Sequence, residues 1–289
     1  MTFIERAVQA SRDAAAGSTA GAENGPPARD SAARRAPSAT GEPISFGRLA
    51  ARNALVLEST DRNVYEQFRR LKRPLLQCAF GPLAEGNSQV VMITSPLQGA
   101  GKTFVASNLA HVLALEKDRS VLLVDCDSAN PSLSRNLGLL DRPGLFDVIN
   151  ESGPSLEQAI CRTEFPGLYV LPAGQSAGDS LERLTSDRCR NSFRQILARN
   201  PGGIVILDSP PLLMTNEALS IASLAGQYVL VVEAGGTANS NIQKSLELLD
   251  HQKPIGLVLN RTVGQGEVGY YYAYAAASGT GTSSTGTSS

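Results

Sequence analysis

The sequence has little charge imbalance, few cysteines and no long apolar run, and each shortage removes a class of function. Its 26 lysines and arginines stand against 27 aspartates and glutamates, for a formal net charge of −1. No basic stripe with interleaved aromatics interrupts that balance, so nucleic-acid binding has no electrostatic footing. The longest apolar runs, at 121–124, 202–208 and 228–234, are strand-sized and far below the ~20 residues a membrane helix needs. No apolar stretch of signal-peptide kind opens the chain, so the reading is of a protein that stays in the cytoplasm. Cys78, Cys126, Cys161 and Cys189 are scattered, with no Cys-x-x-Cys and no nearby histidine pair, which fits reduced thiols acting as small buried hydrophobes.

What is there is unevenly distributed. Residues near 10–45 are rich in Ala, Ser, Gly, Pro, Arg and Asp with almost no large apolar side chain, and the final "SGTGTSSTGTSS" is similar; neither can bury a core, so both are expected to be disordered. The opening "MTFIERAVQAS" places Phe3, Ile4, Ala7 and Val8 on one face of a short helix. The organisation is therefore read as 1–47, short helix plus disordered linker; 48–262, one α/β domain; and 263–289, a flexible tyrosine-containing tail.

The segment "QVVMITSPLQGAGKTFVASNLA", residues 89–110, reads as buried strand, glycine loop and helix. Gly99 and Gly101 let the backbone turn its N–H groups inward, so that residues Gly99, Ala100, Gly101, Lys102, Thr103 and Phe104 form a cradle for nucleotide phosphates. Lys102 can reach the β- and γ-phosphates, the Thr103 hydroxyl can ligate Mg²⁺, and the helix that starts there turns its positive end toward the anion. The first position of the usual G-x-x-x-x-G-K-[ST] pattern is Pro96, but the flanking strand and helix are those the motif requires.

Continuous apolar runs at 120–125, 168–172, 204–208, 227–233 and 255–260 alternate with helical stretches at 186–200, 216–225 and 240–251. The pattern predicts a doubly wound, mostly parallel sheet of the P-loop NTPase type. An earlier helix from Asp61, with Val64, Phe68, Leu71, Leu75 and Leu76 inward, is expected to kink or end at Pro74. Three acids fall at strand ends, on the edge where open parallel sheets bind ligands: Asp125 and Asp127 in "VLLVDCD" and Asp208 in "IVILDSPP". Such carboxylates can hold Mg²⁺ or take a proton from an attacking hydroxyl.

Together "SPLQGAGKT", "VLLVDCD" and "ILDSPP", with "FIERA", "LKRPLL", "LYVLPAG", "VVEAG", "GLVLNR" and a tyrosine-rich tail, resemble the bacterial tyrosine kinase family, above all the autokinases of exosortase-associated exopolysaccharide loci. The resemblance implies a MinD/ParA-like fold, ATP and Mg²⁺ as cofactors, and autophosphorylation of C-terminal tyrosines. It assigns phosphate and metal to Lys102 and Thr103, metal to Asp125 and Asp208, the base to Asp127, and adenine contact to Asn260. It further implies a cytoplasmic kinase held at the inner membrane by a membrane-embedded chain-length regulator of the Wzz type, and a homo-oligomer, such as a ring, built through an E-x-x-R-x-x-R helix motif. Glu66 and Arg69 match that motif, and Lys72 stands in its third place. Asn130 occupies a position where arginine is common.

Four of the seven tyrosines, Tyr270, Tyr271, Tyr272 and Tyr274, cluster in the Gly/Ala-rich tail, and beside a kinase-like site they read as phosphoacceptors. About ten residues of extended chain reach roughly 30 Å, enough for a neighbour's active site. The competing reading is a MinD/ParA-like dimerising ATPase that transfers phosphate only to water. That class carries a signature lysine five residues before the catalytic lysine, a position held here by Leu97.

Overall fold

A computed structural model describes residues 42–262, apart from positions 53, 83, 151, 176–179 and 201. The opening segment with Phe3, Ile4, Ala7 and Val8 and the tyrosine tail lie outside the described residues. Seven strands form one sheet: β1 (Val90–Thr94), β2 (Val121–Asp125), β3 (Cys161–Arg162), β4 (Leu168–Leu171), β5 (Ile204–Asp208), β6 (Gln227–Glu233) and β7 (Ile255–Asn260). Their order is β3-β4-β2-β5-β1-β6-β7. Only the β3–β4 pair is antiparallel. The central strands β1, β2 and β5 are buried at every position, as continuous apolar runs in a sheet covered on both faces must be.

The helices described are α1 (Gly47–Ala51), α2 (Arg62–Phe80), α3 (Lys102–Ala114), α4 (Ser132–Leu137), α5 (Leu145–Val148), α6 (Leu156–Ala159), α7 (Ser180–Thr185), α8 (Asp187–Arg199), α9 (Glu217–Leu224) and α10 (Asn239–Glu247). Because strand side chains alternate, Val91 and Ile93 face a core shared with α1 to α4, while Val90 and Met92 face one shared with α5 to α10. That is the doubly wound arrangement. α3 is buried along almost its whole length, so it is an internal element between sheet and α2. Its Asn108 fastens the entering chain, accepting from Val56 N–H at 2.7 Å and donating to Ala54 C=O at 3.1 Å.

Two expectations change. α2 does not end at Pro74 but runs on to Phe80. Pro74 lies on the exposed side, where the loss of one helical hydrogen bond does not leave a buried orphan, while Leu75 and Ala79 beyond it gain burial. The two-residue β3 has no periodic signal of its own and was not anticipated by the apolar runs. Among the described residues no helix is long and apolar enough to cross a membrane.

Candidate active site

β1, β5 and β2 are adjacent, and their carboxyl ends place the site. Ile93 is in register with Asp208, and Asp208 with Asp125, so the loop leaving β1 lies next to both carboxylates. The loop's glycines adopt left-handed backbone conformations, with φ of 91° at Gly99 and 95° at Gly101, which side-chain-bearing residues rarely take. A Cβ at Gly101 would stand 2.2 Å from Asn260 Nδ2, and that same amide donates to the Ala100 carbonyl at 2.8 Å. Asn260 is therefore positioned at the loop from the end of β7.

The next loop is strapped down from the other side. Thr94 Oγ1 donates to Pro210 C=O at 3.1 Å, and Ser209 Oγ to Ile93 C=O at 2.9 Å. The Leu212 and Leu213 amides reach Ser95 and Pro96 carbonyls. None of these polar fasteners was singled out from sequence, and no local pattern marks them.

Lys102, the first residue of α3, is buried. Burial pulls its ammonium below the ordinary lysine range, opposed by the nearby charges of Asp208 and Asp127. Asp208 is 2% exposed; burial, then the Asp125 charge, pushes its carboxyl up to about 8, against a hydrogen bond from Thr103 and the Lys102 charge. Its Oδ1 is buried without any partner, a costly state that a cation beside it would relieve. Thr103 and Asp208 thus offer hard oxygen donors beside the glycine loop.

Asp125 differs. Its Oδ2 accepts from Ser134 N–H at 2.8 Å and Ser134 Oγ at 2.7 Å, and its Oδ1 from Asp127 N–H at 3.2 Å. Burial raises it to about 6 despite those bonds. Ser134 Oγ also accepts from Ala173 N–H at 2.9 Å, so one hydroxyl links β2, α4 and the end of β4. Asp127 is half-buried, caps Asn130 N–H at 2.9 Å, and is raised chiefly by burial. Asn130 in turn accepts from Arg135 Nη1 at 2.8 Å. The site therefore gathers Gly99 to Phe104, Asp125, Asp127, Asp208 and Asn260 on one sheet edge.

Residues 91–277 match the family model described as the CobQ/CobB/MinD/ParA nucleotide binding domain. The chain belongs to this family. Several of its relatives are named tyrosine-protein kinases. Tyrosine-protein kinase ptk of Acinetobacter johnsonii is 28% identical over 75% of this chain and 28% of its own length. The succinoglycan biosynthesis transport protein ExoP of Rhizobium meliloti is 31% identical over 82% of this chain and 29% of its own. The kinase domain of Escherichia coli tyrosine kinase ETK superposes with a TM-score of 0.62 at 26% identity, covering 73% of this chain and 80% of that one. The chain spans about a quarter of the length of the first curated relatives it matches. Glu66, Arg69 and Lys72 lie on α2. Glu66 pairs with Arg69 at 2.8 Å, while Lys72 Nζ is held by Glu116 Oε1 at 2.5 Å. The three line a surface recess with Arg70, Arg73 and Leu76.

Proposed function

We propose that this chain is an ATP-dependent protein-tyrosine kinase that phosphorylates its own cluster Tyr270, Tyr271, Tyr272 and Tyr274 and so regulates exopolysaccharide synthesis or export. The observation that carries the reading is the in-register pair Asp125 and Asp208 beside a glycine loop whose Lys102 is buried against acidic neighbours. Loop N–H groups and Lys102 would bind and orient the phosphates, and Thr103 and Asp208 would hold Mg²⁺. Bound Mg²⁺ supplies neutralisation of the charge developing on the phosphates. Asp125, tied by Ser134, keeps its loop in place and completes the acidic edge, and Asp127 accepts the proton of the incoming tyrosine hydroxyl. Asn260 closes the loop and would contact the base of a bound nucleotide.

The names of the relatives, tyrosine-protein kinase and a polysaccharide transport protein, support this assignment, as does Leu97 in place of the signature lysine. Partners in the proposal are a membrane-embedded Wzz-type regulator, which holds the chain at the inner membrane, and other copies of the chain meeting through Glu66, Arg69 and Lys72. The MinD/ParA membership favours a second reading, a dimerising ATPase without tyrosine transfer. Incubating the purified chain with Mg·ATP and mapping phosphopeptides separates them: tail phosphotyrosine supports the kinase, and its absence alongside ATP turnover supports the ATPase.

A further inference from the structure

Among the described residues β7 pairs only with β6. The Tyr228 and Ala234 amides donate to Pro254 and Asn260 carbonyls, each at 2.9 Å. Successive residues of a strand turn their polar groups to opposite sides, so the N–H and C=O of Ile255, Leu257 and Leu259 face the open edge. The side chains of the same residues continue the apolar row Tyr228, Leu230 and Val232 of β6 by register. Leu257 is 58% and Leu259 61% exposed. Natural edge strands carry charge, proline or a bulge at such places; this one presents leucines.

The chain that leaves β7 is suited to cover it. Arg261 turns out of the strand with a left-handed φ of 59°, pinned by its ion pair to Glu233 at 2.7 Å. Gly264 and Gly266 follow, then "VGYYYAY", a run rich in the aromatics that favour strands. Tyr270, Tyr272 and Tyr274 are spaced by two, so in an extended chain they share one face. With 261–268 as the reversing loop, Leu259 stands opposite Tyr270, Leu257 opposite Tyr272 and Ile255 opposite Tyr274. Directly opposed residues of an antiparallel pair share a face and touch. A slip of one residue would turn all three tyrosines away, so only registers that differ by an even number of residues keep the contact.

We infer that the tail segment 269–274 of the same chain docks as an eighth, antiparallel strand on the open edge of β7, laying Tyr270, Tyr272 and Tyr274 over Leu259, Leu257 and Ile255. An antiparallel strand starts at the carboxyl edge, where Asp125 and Asp208 sit, and runs away from it. Docking therefore withholds the tyrosines from any active site, and a chain must release its tail before giving it to a neighbour. The docking stands whether or not the chain transfers phosphate; only this consequence rests on the kinase reading.

Hydrogen exchange followed by mass spectrometry on the full chain, free of phosphate by intact mass, tests it. Amides of Tyr270, Tyr272 and Tyr274 and of Leu257 and Leu259 exchange at least about tenfold more slowly than an unstructured peptide. Dilution leaves that protection unchanged, and Leu257→Lys with Leu259→Lys, at exposed positions, removes it from the tail. Tail amides that exchange at the unstructured rate in the unaltered chain overturn the inference. So does protection that falls on dilution, which assigns the edge to a second copy, and so does tail protection that survives the double lysine variant.

Discussion

Asn260 Nδ2 donates to the carbonyl of Ala100 at 2.8 Å, joining residues 160 positions apart in sequence. The last strand of the sheet thereby holds the phosphate loop that follows the first, and the space left over is too small for a Cβ on Gly101.

Gly101→Ala is expected to cost stability twice, once through the clash with Asn260 and once through about 1–2 kcal/mol for a side-chain-bearing residue in left-handed backbone. Asn260→Ala alone costs about 0.5–1.5 kcal/mol for the lost hydrogen bond. The double variant should be less damaged than the sum, because removing the amide relieves the clash but not the backbone term. Thermal melts of the four proteins, with nucleotide affinity measured by calorimetry, check this; strict additivity contradicts it.

The Asp208 carboxyl, raised to about 8 by burial and by Asp125, makes stability depend on pH. A carboxyl whose folded value lies above its unfolded one stabilises the fold below the unfolded value and loses that contribution as pH rises through the folded one. Nucleotide-free protein should accordingly melt lower at pH 8 than at pH 5, at roughly 2–4 °C for each kcal/mol lost. Asp208→Asn should flatten this slope and also remove the Mg²⁺ dependence of nucleotide binding. An unchanged slope in the variant refutes the assignment.

His111 acts on the acid side. Its Nδ1 is buried without a partner, its ring centroid lies 4.4 Å from that of Phe165, and burial lowers its basicity. The stability it contributes is full above its unfolded value and is lost as pH falls through the lower folded one. Relative to the unaltered chain, His111→Gln is expected to shift the difference in melting temperature between pH 5 and pH 7 in favour of pH 5, read by circular dichroism.

Lys102→Met and Asp127→Asn should separate binding from transfer. Losing the ammonium is expected to weaken nucleotide binding roughly 10- to 100-fold, the worth of charge-assisted hydrogen bonds, and to abolish phosphotyrosine. Asp127→Asn should keep binding, since the amide has nearly the same shape, but lose phosphotyrosine because it takes no proton. Calorimetry and phosphotyrosine assay on both variants decide it; equal loss of binding in the two is the contrary result.

The parts of this molecule that are local in the chain were legible in its sequence. Gly99 to Thr103 announce a phosphate loop by their own backbone needs, and Asp125, Asp127 and Asp208 fall at the ends of apolar runs long enough to name as strands. What was hidden depends on distant partners. Ser134 is an ordinary serine until folding sets it under Asp125. The bond of Asn260 to Ala100 is fixed by β7 lying beside β6 and not by any spacing. Thr94 and Ser209 tie loops together through carbonyls, which leave no trace in side-chain pattern. Pro74 ends helices in isolation, but the burial of Leu75 and Ala79 carries α2 past it.

The most direct test of the kinase account counts ADP and phosphotyrosine formed in the same Mg·ATP reaction. The account predicts that the two rise together until Tyr270, Tyr271, Tyr272 and Tyr274 are filled, and that replacing all four by Phe stops phosphotyrosine while the site still binds nucleotide. ADP accumulating with no phosphotyrosine in the unaltered chain, at the same rate in the four-Phe variant, would contradict it and assign the site to hydrolysis alone.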